Sequence, residues 1–394
     1  MKIKIPIRAT INNGRTVAEF FAGIGLMLMG LEQTGWQVVW ANDIDKDKMK
    51  MYKGHFIDNN AHFHLGDIHD LNANEIPDVS LATASFPCND LSLAGARKGL
   101  AGQHSGAFWG FINIIKDMGM RRPPLVLLEN VVGFLTSNYG NDLRNACFAL
   151  NNLGYSVDAF IIDAAWFVPQ SRQRLFLIGK LDMEKERRIA ETPSFYESQC
   201  RPAALADFIF RNPKISWSFR TLPYIPQKAS CLSDILENLH PTSDYWWSKE
   251  RAEYLLSQMS DKHRVIAEKM IAGKETSCGT VFRRVRSGRS MAELRTDGKA
   301  GCLRTPRGGS VRQILFVAGK GHYAVRLIMP RECARLMGAN DYKITVSLNQ
   351  ALFGFGDAVC VPAIQWIADN YLTPALKELH ASEVTENRFA SKAS

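Results

Sequence analysis

Two short segments carry the side chains best suited to chemistry. The first is Pro87-Cys88, which closes an apolar run and opens a polar, glycine-containing stretch, Asn89-Asp90-Leu91-Ser92-Leu93-Ala94-Gly95. A free cysteine is ordinarily a small core hydrophobe. One placed where a strand gives way to a polar turn is instead poised to act as a thiolate nucleophile. The second segment is Glu129-Asn130, which closes another apolar run. A thiolate and a carboxylic acid that share one crevice form a working pair for covalent and general-acid chemistry.

Three other apolar runs end in residues that could hold a ligand. They lead into Phe21-Ala22-Gly23-Ile24-Gly25, Asn42-Asp43 and Gly66-Asp67-Ile68. The glycine pair suits a tight strand-to-helix turn. A dinucleotide fingerprint would need a third glycine where this chain has Leu28, so an adenosine ligand without a pyrophosphate fits better. Asp43 could accept from ribose hydroxyls and Asp67 from an adenine amino group, which is consistent with S-adenosylmethionine. Asp43-x-Asp45-x-Asp47 begins like a calcium loop, but Lys48 and Gly54 stand where that loop needs glycine and glutamate. No metal site is expected.

These segments need elements to position them. Thr16 to Phe21, Trp36 to Ala41, His62 to Leu65, Val79 to Ser85, Leu125 to Leu128 and Tyr155 to Ile162 are short and rich in β-branched or aromatic residues, as strands are. Leu26 to Gln33 and Asp142 to Asn152 have helical spacing, and Gly35 and Gly154 follow them as C-caps. The alternation predicts a doubly wound α/β sheet with parallel strands and crossover helices, whose ligand crevice lies beyond the carboxyl ends of the strands. After Lys180 the alternation stops. A charged stretch, Glu184 to Arg188, leads into an irregular, proline-containing region with a Tyr245-Trp246-Trp247 cluster, which looks like a smaller second domain with the Trp246-Trp247 pair in its core. Helical patterns resume at Arg331 to Met337 and Pro362 to Tyr371, and a polar tail from Ala381 is expected to be disordered.

The chain has 394 residues, 46% hydrophobic and 22% charged, which excludes a small disulfide scaffold and predicts a soluble protein of two or three domains. No run was read as a membrane span or signal peptide, so the expected location is the cytoplasm. The eight cysteines include no C-x-x-C pair and read as reduced thiols. Charge is uneven. Between Val281 and Pro330 eleven basic residues face two acidic ones, an excess equal to the net charge of the whole chain, +9. Glycines and serines among these arginines suggest loops presented to a polyanion. Arg283, Arg284, Arg286, Arg304, Arg307 and Arg312 are the candidate polyanion contacts.

Five blocks, in this order, resemble the cytosine-C5 DNA methyltransferase family: Phe21-Ala22-Gly23-Ile24-Gly25; Phe86-Pro87-Cys88 with Ser92; Glu129-Asn130-Val131; Gln170-Ser171-Arg172-Gln173-Arg174; and Arg331 to Gly338 with Gly356-Asp357-Ala358-Val359. Ser85, Asn89 and Asp357 depart from the family's usual Gly, Gln and Asn. The resemblance implies a doubly wound mixed sheet of the S-adenosylmethionine-dependent methyltransferase type with a smaller irregular domain. It divides the chain into a catalytic domain (1–182), a target-recognition domain with hinge (183–343), a returning segment (344–380) and a tail (381–394).

For the site, the resemblance implies Cys88 as nucleophile, Glu129 as acid, Arg174 on the cytosine O2 edge and Arg172 in support. Phe21, Gly23, Gly25, Asp43, Ile44, Asp67, Ile68, Pro87, Asp357 and Ala358 would line the S-adenosylmethionine pocket. Asn89, Ser92 and Arg97 would meet DNA from a loop that closes over a flipped base. The implied partner is double-stranded DNA; a cognate restriction endonuclease or other defence components acting on the same DNA are candidate companions, and a monomer is expected. An RNA cytosine methyltransferase and a catalytically silent DNA-binding relative are the alternatives; the long basic insert argues against the first, and the presence of Cys88 and Glu129 against the second.

Overall fold

Short β-branched and aromatic runs, most of them closed by a small or polar residue, form a seven-stranded sheet in the computed structural model. It describes residues 14–56, 62–87, 106–181, 191–228, 230–286, 288–305 and 312–392, with backbone alone for Arg286 and 383–392. Cys88, Asn89, Ser92, Arg97 and Arg307 lie outside the described residues.

The strands are β1 (Thr16–Phe20), β2 (Gln37–Asp43), β3 (Phe63–Leu65), β4 (Leu81–Ala84), β5 (Leu125–Val131), β6 (Tyr155–Asp163) and β7 (Gln173–Leu181), in the order β3-β2-β1-β4-β5-β7-β6. β1 to β5 are mutually parallel, and β7 runs antiparallel between β5 and β6. The direction of winding reverses between β1 and β4, and a crevice opens at such a switch point. All six strands expected from the sequence are present, with edges moved by at most three residues. β7 was not anticipated. Its run Leu175-Phe176-Leu177-Ile178 is buried on both faces, so it lacks the alternation that marks a half-buried strand.

Helices cover both faces. On one lie α1 (Leu26–Glu32), α2 (Lys46–His55), α8 (Pro330–Leu336), α9 (Leu348–Asp357), α10 (Val361–Ile367) and α11 (Thr373–Lys392), sharing a core that includes Leu28, Tyr52, Leu336, Phe355 and Ile364. On the other, α3 (Gly106–Asp117), α4 (Asn141–Asn152) and α5 (Ala203–Arg211) pack Phe108, Phe111, Leu143, Leu150 and Leu205. Leu348–Ser382 is a helical stretch long and apolar enough to cross a membrane, where the sequence reading found none, but 67% of its apolar window is buried in the protein. The backbone of α11 stays helical through Lys392, within the segment that composition marked for disorder.

The second region is more regular than its prolines suggested. Strands β8 (Ser277–Arg286), β9 (Arg289–Arg295), β10 (Ile314–Gly319) and β11 (His322–Leu327) form an antiparallel sheet in the order β11-β10-β8-β9. Helices α6 (Lys249–Ser257) and α7 (Asp261–Ile271) close its core around Leu255, Val281, Ile314 and Phe316. Trp247 packs against this core under the Arg251 guanidinium, 3.9 Å from the ring centre. β10 pairs β8 only from Ser277 to Val281, so the β8–β9 hairpin continues beyond the sheet as a two-stranded ribbon.

Candidate active site

At the carboxyl end of β1, Gly25 caps α1 with φ +82°, and a Cβ there would lie 2.3 Å from Phe56 and 2.9 Å from Tyr52. Only glycine fits both the backbone and the packing. The turn donates from Gly23 N to Asp43 Oδ2 at 2.8 Å, while Asp43 Oδ1 accepts from Asp45 N at 2.8 Å. Two backbone donors thus fix the carboxylate at the end of β2. Burial raises its pKa, against the opposing pull of Lys48 and the two backbone donors. Ile44 beside it is 64% exposed, an aliphatic shelf at the strand ends. Phe21 is held at φ +57° in the same turn. Asp67 caps a short helical turn by accepting from His69 N at 2.9 Å, and the Ile68 side chain is buried on the sheet's second face with Phe108 and Phe111.

Between β4 and β5 the geometry is tighter. Phe86 packs on Phe108 and Phe134, so Pro87 emerges exposed from a fixed base. Asn130 Nδ2 donates to Phe86 O at 3.1 Å, and Asn130 Oδ1 accepts from Val131 N at 2.8 Å. This ties the exit of β4, one residue before Pro87, to the strand that carries Glu129. Glu129 is 6% exposed and is paired through Oε1 with Arg174 Nε at 2.8 Å. Arg174 can reach it because β7 lies antiparallel beside β5, with Arg174 opposite Val131.

Arg172 is buried, and burial and the neighbouring Arg174 lower its pKa. Its Nη1 donates to Leu303 O at 2.8 Å and to Cys302 Sγ at 3.3 Å; its Nη2 donates to Ala358 O at 2.6 Å and Gly356 O at 3.2 Å. Gln170 braces the same junction, donating to Leu336 O at 2.7 Å and accepting from Leu303 N at 3.0 Å. Burial raises the Cys302 pKa, but Arg172, Arg174 and Arg304 outweigh it and hold the thiol below its ordinary range.

Several of these groups went unremarked in the sequence. Asn130 and Gln170 stood inside recognised blocks without a role. Glu19, the one charged residue in β1, was visible as an interruption of an apolar run; its carboxyl is buried and pushed well above the usual range by that burial and then by Asp43. Cys302 and Lys48 gave no local signal.

The basic window is not one uniform surface. Arg326 is 1% exposed and makes a two-point ion pair with Glu332 at 2.5 and 2.7 Å. Arg295 is clamped by Asp297 with two bonds of 2.6 Å. Arg312 donates to Asn349 Oδ1 at 2.8 Å, at the junction with α9. Arg304 is exposed next to the Arg172 cradle. The ribbon carries Arg283, Arg284 and Arg289, with Arg284 over the Phe282 ring at 4.7 Å.

Similarity to known proteins agrees with this layout. Residues 15–373 match the model of the C-5 cytosine-specific DNA methylase family. The chain is 27% identical to the Type II methyltransferase M.HhaI of Haemophilus parahaemolyticus over 364 residues, covering 91% of this chain and 94% of that protein. It is 26% identical to M.Bsp6I of Bacillus sp. (strain RFL6) over 359 residues, covering 90% and 97%. Two solved structures share the fold: Entamoeba histolytica methyltransferase EhMeth (TM-score 0.62, 15% identity, 93% of this chain and 99% of that one) and S. pombe Dnmt2 methyltransferase (TM-score 0.58, 18% identity, 91% and 98%). A family match across nearly the whole length places this chain in the C-5 cytosine-specific DNA methylase family.

Proposed function

We propose that the protein transfers a methyl group from S-adenosylmethionine to C5 of a cytosine flipped out of double-stranded DNA, through a covalent bond between Cys88 and C6. The observation that carries this reading is the Asn130 bridge, which fastens the β4 exit leading to Cys88 beside the Glu129–Arg174 pair.

Cytosine C5 is too weak a nucleophile to react unaided. Addition of the Cys88 thiolate to C6 pushes electron density through the ring, and Glu129 holds a proton at N3 where charge develops. Arg174, already seated on Glu129, fixes the O2 edge with a rigid guanidinium fork. Arg172 locks the floor beneath it by gathering four acceptors from two remote segments. Loss of the C5 proton then expels the thiol and restores the ring.

The cofactor site fits its ligand by donor chemistry. A preset acidic acceptor at Asp43, an open glycine turn at Gly23 and the exposed Ile44 side chain suit a ribose and an adenine face. When bound, S-adenosylmethionine supplies the electrophilic sulfonium methyl that C5 takes. Replacement of Asp43 by alanine is expected to weaken its binding by about 1–3 kcal/mol, the cost of leaving a ligand donor unpaired. Calorimetry checks this, and unchanged affinity would remove Asp43 from the pocket.

DNA recognition is assigned to the β8–β9 ribbon and the Arg304 segment. A two-stranded ribbon fits the major groove. Bisulfite sequencing of DNA from cells expressing the chain should reveal methylated cytosines in one sequence context; unmodified DNA with methylated RNA would instead favour the RNA reading. Alanine replacement at Arg283, Arg284, Arg286, Arg289, Arg304, Arg307 and Arg312 should separate two classes. Loss of a phosphate contact weakens all sequences alike and lowers the log–log salt slope by about 0.9. Loss of a guanine contact costs about 1–3 kcal/mol on the cognate site and relaxes one base pair. Wild-type affinity and site preference in every variant would move recognition elsewhere.

A further inference from the structure

The block Gly356-Asp357-Ala358-Val359 has an aspartate where the resembling family has asparagine. The substitution adds a negative charge to the block, and an unanswered carboxylate there would repel any anionic group of a ligand. The structure answers the charge with a residue from a distant element. Lys48, on α2, places Nζ 2.8 Å from Asp357 Oδ2; the lysine side chain is 21% exposed and the aspartate 43%. Thr305 Oγ1 donates to the other oxygen, Asp357 Oδ1.

This pairing stands at a junction. Lys48 follows the β2–α2 turn that presents Asp43. Asp357 lies between Gly356 and Ala358, the two carbonyls that receive Arg172 Nη2. Thr305 belongs to the segment that leaves the Arg172 cradle through Leu303. A side chain anchored at both carboxylate oxygens fixes the backbone on either side of it, and so the two carbonyls that aim Arg172. Burial lowers the Lys48 pKa, but Asp357 and then Asp43 outweigh it and keep the ammonium charged; Lys48 in turn overcomes the effect of burial on Asp357 and keeps it ionised.

We propose that Lys48 is a positioning residue of the cofactor pocket: by neutralising Asp357 it lets an aspartate occupy the asparagine position of the block, and ties the 356–358 backbone that receives Arg172 to the helix that follows Asp43. The proposal rests on the reading of the strand-end crevice as the S-adenosylmethionine site. A partly buried ion pair of this kind has a distinctive signature, because removing one partner strands a charge whereas removing both does not.

The test is a double-mutant cycle on the full chain, with S-adenosylmethionine affinity measured by calorimetry and methylation measured at saturating cofactor. Lys48→Met is expected to lower affinity roughly tenfold, leaving Asp357 without its counter-charge. Adding Asp357→Asn to that variant should recover most of the loss, so that the doubly substituted protein binds more tightly than Lys48→Met alone. Lys48→Arg, which keeps the charge, should bind better than Lys48→Met. A residue that served only stability would change the melting temperature without moving cofactor affinity. Equal or weaker binding in the double variant overturns the proposal, as does unchanged affinity in Lys48→Met. Should Lys48→Met fail to fold, Asp357→Asn must restore folding; a double variant that also fails to fold counts against the pairing. Wild-type protein that does not bind S-adenosylmethionine at all refutes the reading of the pocket instead, and is distinguished from these results by being measured first.

Discussion

Replacement of Cys88 by alanine is expected to lower methyl transfer by roughly 10⁴-fold or more while S-adenosylmethionine affinity stays within a small factor. The thiol is needed to make a bond to C6, which the methyl group of alanine cannot form. The cofactor site proposed above uses other groups, chiefly the Gly23 turn and Asp43, which are braced by backbone bonds that do not involve Cys88. DNA containing 5-fluorocytosine should trap the unmodified enzyme as a covalent adduct, because fluorine cannot leave as a proton, and should not trap Cys88→Ala. A gel shift resistant to denaturant reads the adduct, and tritium transfer from labelled cofactor reads turnover. Appreciable methylation by Cys88→Ala would show that another group is the nucleophile.

Glu129→Gln is expected to cost about 10² to 10⁴ in rate. Glutamine keeps the volume and can still accept from Arg174, so the fold at the β5–β7 seam should survive. What it loses is the acidic proton at N3 and the ion pair at 2.8 Å that holds the carboxyl beside the β4 exit. Without proton sharing at N3, charge pushed into the ring by the thiolate has no sink, so the addition step itself slows. The 5-fluorocytosine adduct should therefore accumulate more slowly in Glu129→Gln, not merely turn over more slowly. Single-turnover kinetics separate the two. A variant that forms the adduct at the wild-type rate would remove Glu129 from the addition step and leave it a role only in release.

The sequence by itself determined those parts whose physics is local. A run such as Leu81 to Ala84 between polar residues has few options other than a buried strand, and the Gly23-Ile24-Gly25 pair after an apolar run marks a tight strand-to-helix turn. Because the crevice of an open α/β sheet lies at strand ends, knowing the strands was enough to name Gly23, Asp43, Asp67 and Glu129 as neighbours. The motif blocks did the same for Arg172 and Arg174, whose residue types and spacing are carried in one short segment.

Tertiary structure alone decided how distant segments pair. β7 reads as an undifferentiated apolar run, and only its antiparallel insertion between β5 and β6 sets Arg174 against Glu129. The basic window read as one cationic stretch, because a charge count does not show which charges are answered. In the fold Arg326 is taken by Glu332, Arg295 by Asp297 and, on the ribbon itself, Arg284 by Glu293 at 3.7 Å, while Arg283 and Arg289 are carried past the edge of β10. The same reason hid Lys48. An ion pair depends on the distance between two side chains in space, and no periodicity in either segment links the α2 lysine to an aspartate at the end of α9; packing of those two helices on one face of the sheet brings them to 2.8 Å.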